Sequence, residues 1–385
     1  MSDYDEHVAL CALNRIFGFH PRMALALKEY AGSALALFTQ APPDCGAHPE
    51  LLSQLNPDSL EWAVRELEKL RPMGARFIAL GEDDYPVPLA SCEDPPLGFY
   101  IKASSTPTEV FALRPMVGVV GTRDLSPYGR DWCEKIVRTL ARSAVTPCIV
   151  SGLAFGADAA AHRTALECSI PTVGVMATGV DAVYPWQHRD IARLITEAPG
   201  SALISDYPLG TAPVALNFMR RNRIIAGVVR GVVVIESKSK GGSLMTARYA
   251  AAYDRDIYAL PGRIHDERSA GCNSLIHENM ARIITTPQAL AAGLGLDGPC
   301  RGAGGSWKTG TAGLAAALAR RYGEGSLPQA AGKIIAGSRG LREDEIALRL
   351  NRPVGEVLAA IGLLEADGFV RTDILRRCYP ASSWS

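Results

Sequence analysis

Short apolar runs and helical repeats alternate between residue 116 and about residue 290. Each run is bounded by turn-forming residues, as is typical of strands buried on both faces, and a helical pattern precedes most of them. We place these strands at residues 117–120, 148–150, 172–176, 202–205, 231–235 and 256–260. The alternation predicts an α/β fold in which helices cover both faces of a mainly parallel sheet.

The segments that precede this region have other patterns. Residues 1–74 carry helical periodicity with helix-start signals at Pro21 and Asn56, which predicts a small helical, SAM-like domain. Residues 75–102 are rich in proline, and X-Pro steps disfavour helix, so we expect edge strands and loops that lead into the sheet. The sheet domain is therefore predicted to span residues 75–290.

The C-terminal part of the chain predicts a linker and a small further domain. Residues 291–330 are rich in glycine and alanine, which indicates a linker. Residues 331–385 show three helices and two short strands, the order of a winged-helix domain. The helix at 353–367, in the position that reads a DNA groove, contains no Lys or Arg, so we expect it to contact protein or to pack.

Glycine-rich turns follow several of the predicted strands. Because the carboxyl ends of parallel strands meet at one edge of a sheet, these turns should line a single crevice. Small residues and helix starts at such turns suit an anion such as phosphate, although a plain strand-to-helix turn explains the first one equally well. The turn residues that we predict to contribute are Gly121, Thr122, Arg123, Ser151, Gly152, Gly241, Gly242 and Ser243.

Charge is balanced over the whole chain and clustered within it. The chain has 40 basic and 40 acidic residues, so net charge does not indicate a partner. Between residues 217 and 248, however, seven basic residues face one acidic residue, Glu236. This cluster suits a polyanion, and a solvated face with internal ion pairs is the alternative. Its basic members are Arg220, Arg221, Arg223, Arg230, Lys238, Lys240 and Arg248.

Motifs of several enzyme classes are missing. The sequence has no G-x-G-x-x-G at the first turn, no nucleoside-triphosphatase loop and no G-x-S-x-G elbow. Asp158 and His162, four residues apart on a helix, could form a general-base pair, but no nucleophile or metal set joins them, and we favour a helix-stabilising role. Covalent chemistry and ATP hydrolysis are therefore not indicated.

Cysteine usage and the N-terminus suggest the compartment. The nine cysteines form no C-x-x-C pair and no zinc pattern, so we interpret them as reduced and mostly buried thiols. The N-terminus is acidic, and no apolar run approaches 18 residues. We expect a cytoplasmic protein that binds no cofactor, no metal and no membrane.

Several segments between about residues 80 and 290 form a series of specific motifs. They are 119–123 (VVGTR) with Ser126 and 128–129, 151–158 (SGLAFGAD) with 161–162, 179–181 (GVD), 184–185 (YP), 221–226 (RNRIIA), 242–247 (GSLMTA), 260–262 (LPG) and 273–276 (NSLI). Taken together, these segments resemble the DNA-processing protein A (DprA/Smf) family. The departures are Ala157, where the family usually has Ile, and Asp206, where Glu is usual, and they concern details of the site.

The resemblance implies a Rossmann-like, non-enzymatic protein that binds single-stranded DNA. It further implies a homodimer that helps to load the RecA recombinase onto incoming strands during natural transformation. Carried over by motif, Arg123 would contact a DNA phosphate at the first turn. Arg221 and Arg223, with Lys238 and Lys240 beside residues 241–243, would complete the site.

Aromatic residues should accompany such a groove if it also holds bases. Tyr128, Phe155 and Phe218 are candidates by position, and a core role is the alternative for each. A nucleotide or nucleoside-phosphate hydrolase could use the same crevice. Glu236 and residues 239–244 match in part the glycine-rich loop and nearby glutamate of such an enzyme. A transcription factor is a third possibility, which the uncharged helix at 353–367 disfavours.

Overall fold

The computed structural model describes residues 3–40, 48–297, 318–336, 341–367, 369–372 and 377–380. Residues 1–300 form one compact unit of the chain, and residues 301–385 form a second.

A nine-stranded sheet is the centre of the first unit. Its strands lie in the order β1-β2-β6-β5-β4-β3-β7-β8-β9. Strands β3 to β9 are parallel to one another, whereas β2 runs antiparallel to both β1 and β6. The strands are β1 Ala75–Ala79, β2 Gly98–Lys102, β3 Met116–Val120, β4 Cys148–Ser151, β5 Thr172–Val175, β6 Ala202–Ser205, β7 Gly231–Val234, β8 Asp256–Ala259 and β9 Arg282–Ile283.

The α/β fold and its mainly parallel sheet are thus confirmed, and all six predicted strands lie within one residue of their predicted bounds. The helices of this unit are α1 Asp3–Phe17, α2 Pro21–Ala31, α3 Ala36–Thr39, α4 Pro49–Leu52, α5 Pro57–Leu70, α6 Val87–Ala90, α7 Pro107–Phe111, α8 Pro127–Leu140, α9 Ala157–Glu167, α10 Arg189–Glu197, α11 Ala215–Val228, α12 Ser243–Ala252, α13 Ala270–His277 and α14 Pro287–Gly293.

Hydrophobic cores fill both faces of the sheet because successive strand residues point to opposite sides. In β3, Val117 and Val119 join the core under α8 and α9. Val120, next along the strand, joins the opposite core with Ile224 and Ile225 of α11. A strand that is buried on both sides reads as the continuous apolar run seen in the sequence.

The chain changes direction across the sheet at β3. Strands β4, β5 and β6 lie on one side of β3, and β7, β8 and β9 lie on the other. Gly118 in the middle of β3 is paired with Val150 of β4 and with Val232 of β7. Such a switch point opens a crevice beyond the carboxyl ends of the two central strands, which is where α/β proteins hold their ligands.

The first unit extends beyond the sheet domain predicted at residues 75–290. In the helical segment at 1–74, Leu13 and Phe17 of α1 share one core with Tyr100 and Leu203 of the sheet. At the start of the predicted linker, Leu294 is fully buried against the sheet, because leucines at helical spacing anchor α14.

In its described residues, the second unit contains the helical residues 318–322, three further helices and a three-stranded antiparallel sheet in the order β10-β12-β11. Ile346, Ile361 and Leu364 are central to its core. The helix Leu327–Ala336 spans residues on both sides of the predicted boundary at 330/331, and the winged-helix assignment stays a prediction. The elements are the helices Leu327–Ala336, Glu343–Leu350 and Val354–Ala366, and the strands β10 Leu341–Arg342, β11 Val370–Thr372 and β12 Arg377–Pro380.

Phe99 in β2 allows a test of the core of the first unit. Its side chain is fully buried, and its ring lies 5.4 Å from the ring of Tyr85 and 5.7 Å from that of Phe111. We expect Phe99→Ala to lower the free energy of unfolding by about 3–5 kcal/mol, measured by urea unfolding followed by circular dichroism. The control Leu113→Ala, at a side chain 59% exposed, should change it by less than about 0.5 kcal/mol.

Candidate anion-binding crevice

The turn after β3 forms one wall of the crevice at the switch point. The backbone N–H of Thr122 donates to the carbonyl oxygen of Glu236, 2.7 Å away, which joins this turn to the end of β7. A side chain at position 121 would lie 2.7 Å from the Cβ of Ala157, so only glycine fits. The hydroxyl of Ser126 then caps α8 by accepting from the N–H of Gly129 at 3.0 Å.

The buried carboxylate of Glu236 fixes the first turn through hydrogen bonds. It accepts from the backbone N–H of Ser126 at 2.9 Å and from the hydroxyl of Ser126 at 2.5 Å. Glu236 is 1% exposed, and a Cβ at position 129 would lie 2.5 Å from its Oε2, which explains the glycine there. Glu236 therefore positions the turn and is closed off from a ligand in the crevice.

The turn after β4 meets the first turn across the crevice. Ser151, fully buried, donates its hydroxyl to the carbonyl oxygen of Val119 at 2.6 Å and so acts within the sheet. Gly156 has a φ of 75°, and a Cβ there would collide with the carbonyl oxygen of Thr122. Both the left-handed backbone and the close approach require glycine at this position.

A buried guanidinium lies beneath the second turn. A Cβ at position 152 would be 2.5 Å from both Nη2 of Arg221 and Oδ2 of Asp158, so Gly152 leaves room for these two charged groups. Arg221 is 4% exposed; its Nε donates to Asn222 at 3.2 Å and its Nη1 to the carbonyl oxygen of Val175. Among the described residues it forms no ion pair with a carboxylate.

Burial perturbs both charged groups at this floor. Desolvation lowers the pKa of Arg221, and the charge of Asp158 acts in the opposite direction. Desolvation likewise raises the pKa of Asp158, although Arg221 opposes that shift. A cation that is held out of water without a bonded carboxylate is costly, and an anion in the crevice would compensate it.

Three further cations lie on the first and third turns, which follow β3 and β7. Arg123 is exposed and, in the described part of the chain, forms no ion pair; its guanidinium lies 5.1 Å from the ring centre of Phe218. Lys238 is exposed and lies 3.9 Å from Glu267, and Lys240 is exposed with no ion-pair partner within the described ranges.

The third turn, residues 237–243, is joined to its surroundings by hydrogen bonds. The hydroxyl of Ser243 donates to that of Ser237 at 2.9 Å. The N–H of Gly241 donates to the carbonyl oxygen of Lys238 at 2.9 Å, and the amide of Asn222 donates to the carbonyl oxygen of Gly242 at 3.3 Å. The third turn therefore lies between the first turn and α11.

The structure does not bring Arg223 into the crevice. Its Nη2 donates to Oδ2 of Asp206 at 2.8 Å, and Asp94 lies 4.0 Å away, in a pair that is nearly fully buried. Arg220 takes another direction and stacks over the ring of Phe19 at 3.7 Å. Successive helix residues are rotated by about 100°, so positions 221 and 223 cannot share a face.

The Asp158 and His162 side chains have separate partners. Oδ2 of Asp158 accepts from the N–H of Ala154 at 3.3 Å, whereas Nδ1 of His162 lies 2.7 Å from the hydroxyl of Thr172. Burial lowers the pKa of His162 to about 4. Within the described residues, no cluster of His, Cys, Asp and Glu could hold a metal ion.

Two cysteines in the core are not activated either. Burial raises the pKa of Cys133 and of Cys148 to about 12, so neither thiol is a nucleophile at neutral pH. The seven cysteines in the described ranges are all free thiols.

Of the predicted site residues, the structure gathers Gly121, Thr122, Arg123, Ser151, Gly152, Arg221, Lys238, Lys240, Gly241, Gly242 and Ser243 around one crevice. Sequence reasoning missed the positioning role of Glu236, for which an acidic residue at the end of a buried strand was the available signal. It also missed the exposed rings of Tyr184 and Trp186 at the edge of the crevice, which the turn-forming residues around them had obscured.

The parallel sheet, its switch point and its glycine turns define a Rossmann-like domain. The chain belongs to the family of DNA recombination-mediator protein A, whose family model matches residues 76–295. The chain is 39% identical over 229 residues to the protein Smf of Synechocystis sp., a match that covers 60% of this chain and 56% of that protein. The chain thus spans little more than half of that relative's length.

Two solved structures share the fold. DNA processing protein A of Streptococcus pneumoniae is 30% identical with a TM-score of 0.63, over 76% of this chain and 98% of that chain. DNA processing protein A of Helicobacter pylori, whose structure describes its mode of binding single-stranded DNA, is 27% identical with a TM-score of 0.50, over 57% and 95%. Each helix in the described ranges is too short or too polar to traverse a lipid bilayer.

His162 gives the first unit a specific pH dependence. Its pKa is about 4 in the folded chain against an ordinary 6.5, so the unfolded chain takes up the proton first as pH falls. Its contribution to stability is therefore full above pH 6.5 and is lost progressively down to about pH 4, by about 3 kcal/mol in total.

We expect His162→Gln to remove this part of the pH dependence, because glutamine does not titrate. The measurement is the free energy of unfolding of both proteins at a series of pH values. Wild type should lose stability relative to the variant as the pH falls through this range. Parallel curves would show that His162 is not the group responsible.

Proposed function

We propose that this protein binds single-stranded DNA in the switch-point crevice and acts on it without catalysing a reaction. The sugar–phosphate backbone would enter between the first and third turns. Arg123, Lys238 and Lys240 would contact its phosphates from the edge, and Arg221 from the floor. A single strand can follow such a groove without sequence preference.

The observation that carries this proposal is the buried guanidinium of Arg221. It lies under Gly152 with no carboxylate bonded to it among the described residues. Two turns, each of which contains a position that only glycine can occupy, bring the backbone close to this guanidinium. A phosphate oxygen there would satisfy its charge, and hydrogen bonds to such a charged group are worth about 1.5–3 kcal/mol each.

Several cations along one edge favour a polymer over a single nucleotide. Arg123 follows β3 and the two lysines follow β7, so their charges are spread along the crevice. Successive phosphates of a strand would each contact a cation, and every contact would release counterions from the strand. The dinucleotide-binding G-x-G-x-x-G, by contrast, is missing from the first turn.

The position of Glu236 argues against the alternative of a nucleotide or nucleoside-phosphate hydrolase. Both of its oxygens are engaged by Ser126, and the side chain is closed off beneath the first turn. A catalytic carboxylate must reach the substrate, and this one serves the loop instead. Incubation with nucleoside monophosphates should therefore release no free base.

Membership of the family suggests the biological role of this binding. Because the chain belongs to a family of recombination mediators, we propose that it presents the bound strand to the RecA recombinase. We further propose that it acts as a homodimer in the cytoplasm during uptake of DNA by natural transformation. The second unit would contact protein, since its helix Val354–Ala366 has no basic residue with which to read a groove.

Arg123→Ala tests the crevice. We expect it to weaken binding of a labelled single-stranded oligonucleotide by about 10-fold, because it removes one charge-assisted phosphate contact. The slope of the logarithm of affinity against that of salt concentration should fall in magnitude by about 0.7, the value for one phosphate contact on a single strand. Fluorescence anisotropy across a salt series measures both quantities.

Arg142→Ala is the matched control for that variant. Arg142 is exposed just beyond the end of α8, at the amino edge of the sheet, away from the crevice. Its removal should change neither affinity nor slope. Equal effects of the two variants would mean that binding is unspecific surface attraction, and the proposed site would be wrong.

A further inference from the structure

Aromatic rings and arginines continue outward from Arg123. The ring of Phe218, under the guanidinium of Arg123, lies 5.5 Å from the ring of Tyr184. Trp186 follows two residues later in the same loop, and the guanidinium of Arg189 lies 5.4 Å from its ring centre. We name Phe218, Tyr184 and Trp186 the aromatic ridge.

The outer rings of the ridge are not part of a hydrophobic core. Tyr184 is 47% exposed and Trp186 is 64% exposed, and neither belongs to any of the core clusters of the described residues. Tryptophan is usually well buried, so a ring that packs against no core needs another explanation.

Local contacts fix this loop and leave the charge of Arg189 without an ion pair among the described residues. Nε of Arg189 donates to the carbonyl oxygen of Trp186 at 3.2 Å, and Arg189 forms no ion pair with any described carboxylate. The carboxylate of Asp181, earlier in the same loop, instead accepts from the N–H of Gly210 at 3.0 Å. Exposed rings are thus flanked by Arg123 and Arg189, two cations that are free to meet phosphates.

We propose that the aromatic ridge is a stacking platform for the bases of the strand whose phosphates lie in the crevice. This inference rests on the proposed function and extends it to Tyr184 and Trp186. Cations interleaved with exposed rings suit a single-stranded nucleic acid, because every base has a face to stack and every nucleotide carries a phosphate. Duplex DNA keeps its bases stacked inside and could not use the ridge.

The test compares wild type with Trp186→Ala and Trp186→Phe on two oligonucleotides. One is oligothymidylate, and the other has the same backbone with abasic positions throughout. On oligothymidylate, Trp186→Ala should bind about 5- to 150-fold more weakly, the range that stacking of one base gives, whereas Trp186→Phe keeps most of the affinity. On the abasic strand all three proteins should bind equally.

Two further measurements complete the experiment. The salt slope of Trp186→Ala should equal that of wild type, since no phosphate contact is removed. Tyr30→Ala, at an aromatic residue 77% exposed in α2, should bind both strands as wild type does. Circular dichroism would show that each variant is folded.

The outcomes separate this inference from the proposed function. If wild type binds oligothymidylate and Arg123→Ala weakens it, but Trp186→Ala has no effect, the ridge is wrong and the crevice stands. Equal losses on both strands would also overturn the ridge, because bases would then play no part. If wild type binds neither strand, the proposed function itself fails.

Discussion

The crevice depends on one buried positive charge. Arg221 is held under the second turn by bonds to Asn222 and to the carbonyl oxygen of Val175, and Asp158 approaches from the other side of Gly152. Taking a guanidinium out of water without a bonded carboxylate costs several kcal/mol. The rest of the fold supports this arrangement, and a bound phosphate would relieve it.

The support comes from the point where the strand order reverses. Strands β3 and β7 end side by side there, and Glu236 at the end of β7 fixes the turn that follows β3. A Cβ would collide with the facing turn at positions 121 and 156, and with the side chains of Arg221 and Asp158 at position 152. The glycines therefore serve packing as well as ligand access, and the crevice is preformed by the sheet.

Local patterns were enough to predict the strands and the edge at which the turns meet. Buried parallel strands are continuous apolar runs, and their carboxyl ends must lie together, so residues 121 and 152 could be placed without coordinates. Directions of side chains on α11 could not be placed in this way. Arg221 and Arg223 look equivalent in the sequence, yet one lies at the crevice floor and the other is buried against Asp206.

The remaining differences have the same origin, which is tertiary packing. Glu236 could be a catalytic carboxylate or a loop anchor by type, and only its bonds to Ser126 decide between them. The composition after residue 290 is typical of a linker, yet Leu294 at its start lies in the core of the first unit. In both cases the deciding contact joins residues that are far apart in the chain or depends on a neighbouring element.

The most direct test of the central claim is the rise in thermal unfolding midpoint when single-stranded oligonucleotide is added to wild type, Arg221→Met and Arg223→Met. A ligand that binds only the folded chain raises the midpoint, and at a fixed ligand concentration the rise grows with the logarithm of the affinity. We predict a clear rise for wild type and for Arg223→Met, even if the latter is less stable alone, and little or none for Arg221→Met. An undiminished rise in Arg221→Met would contradict the account.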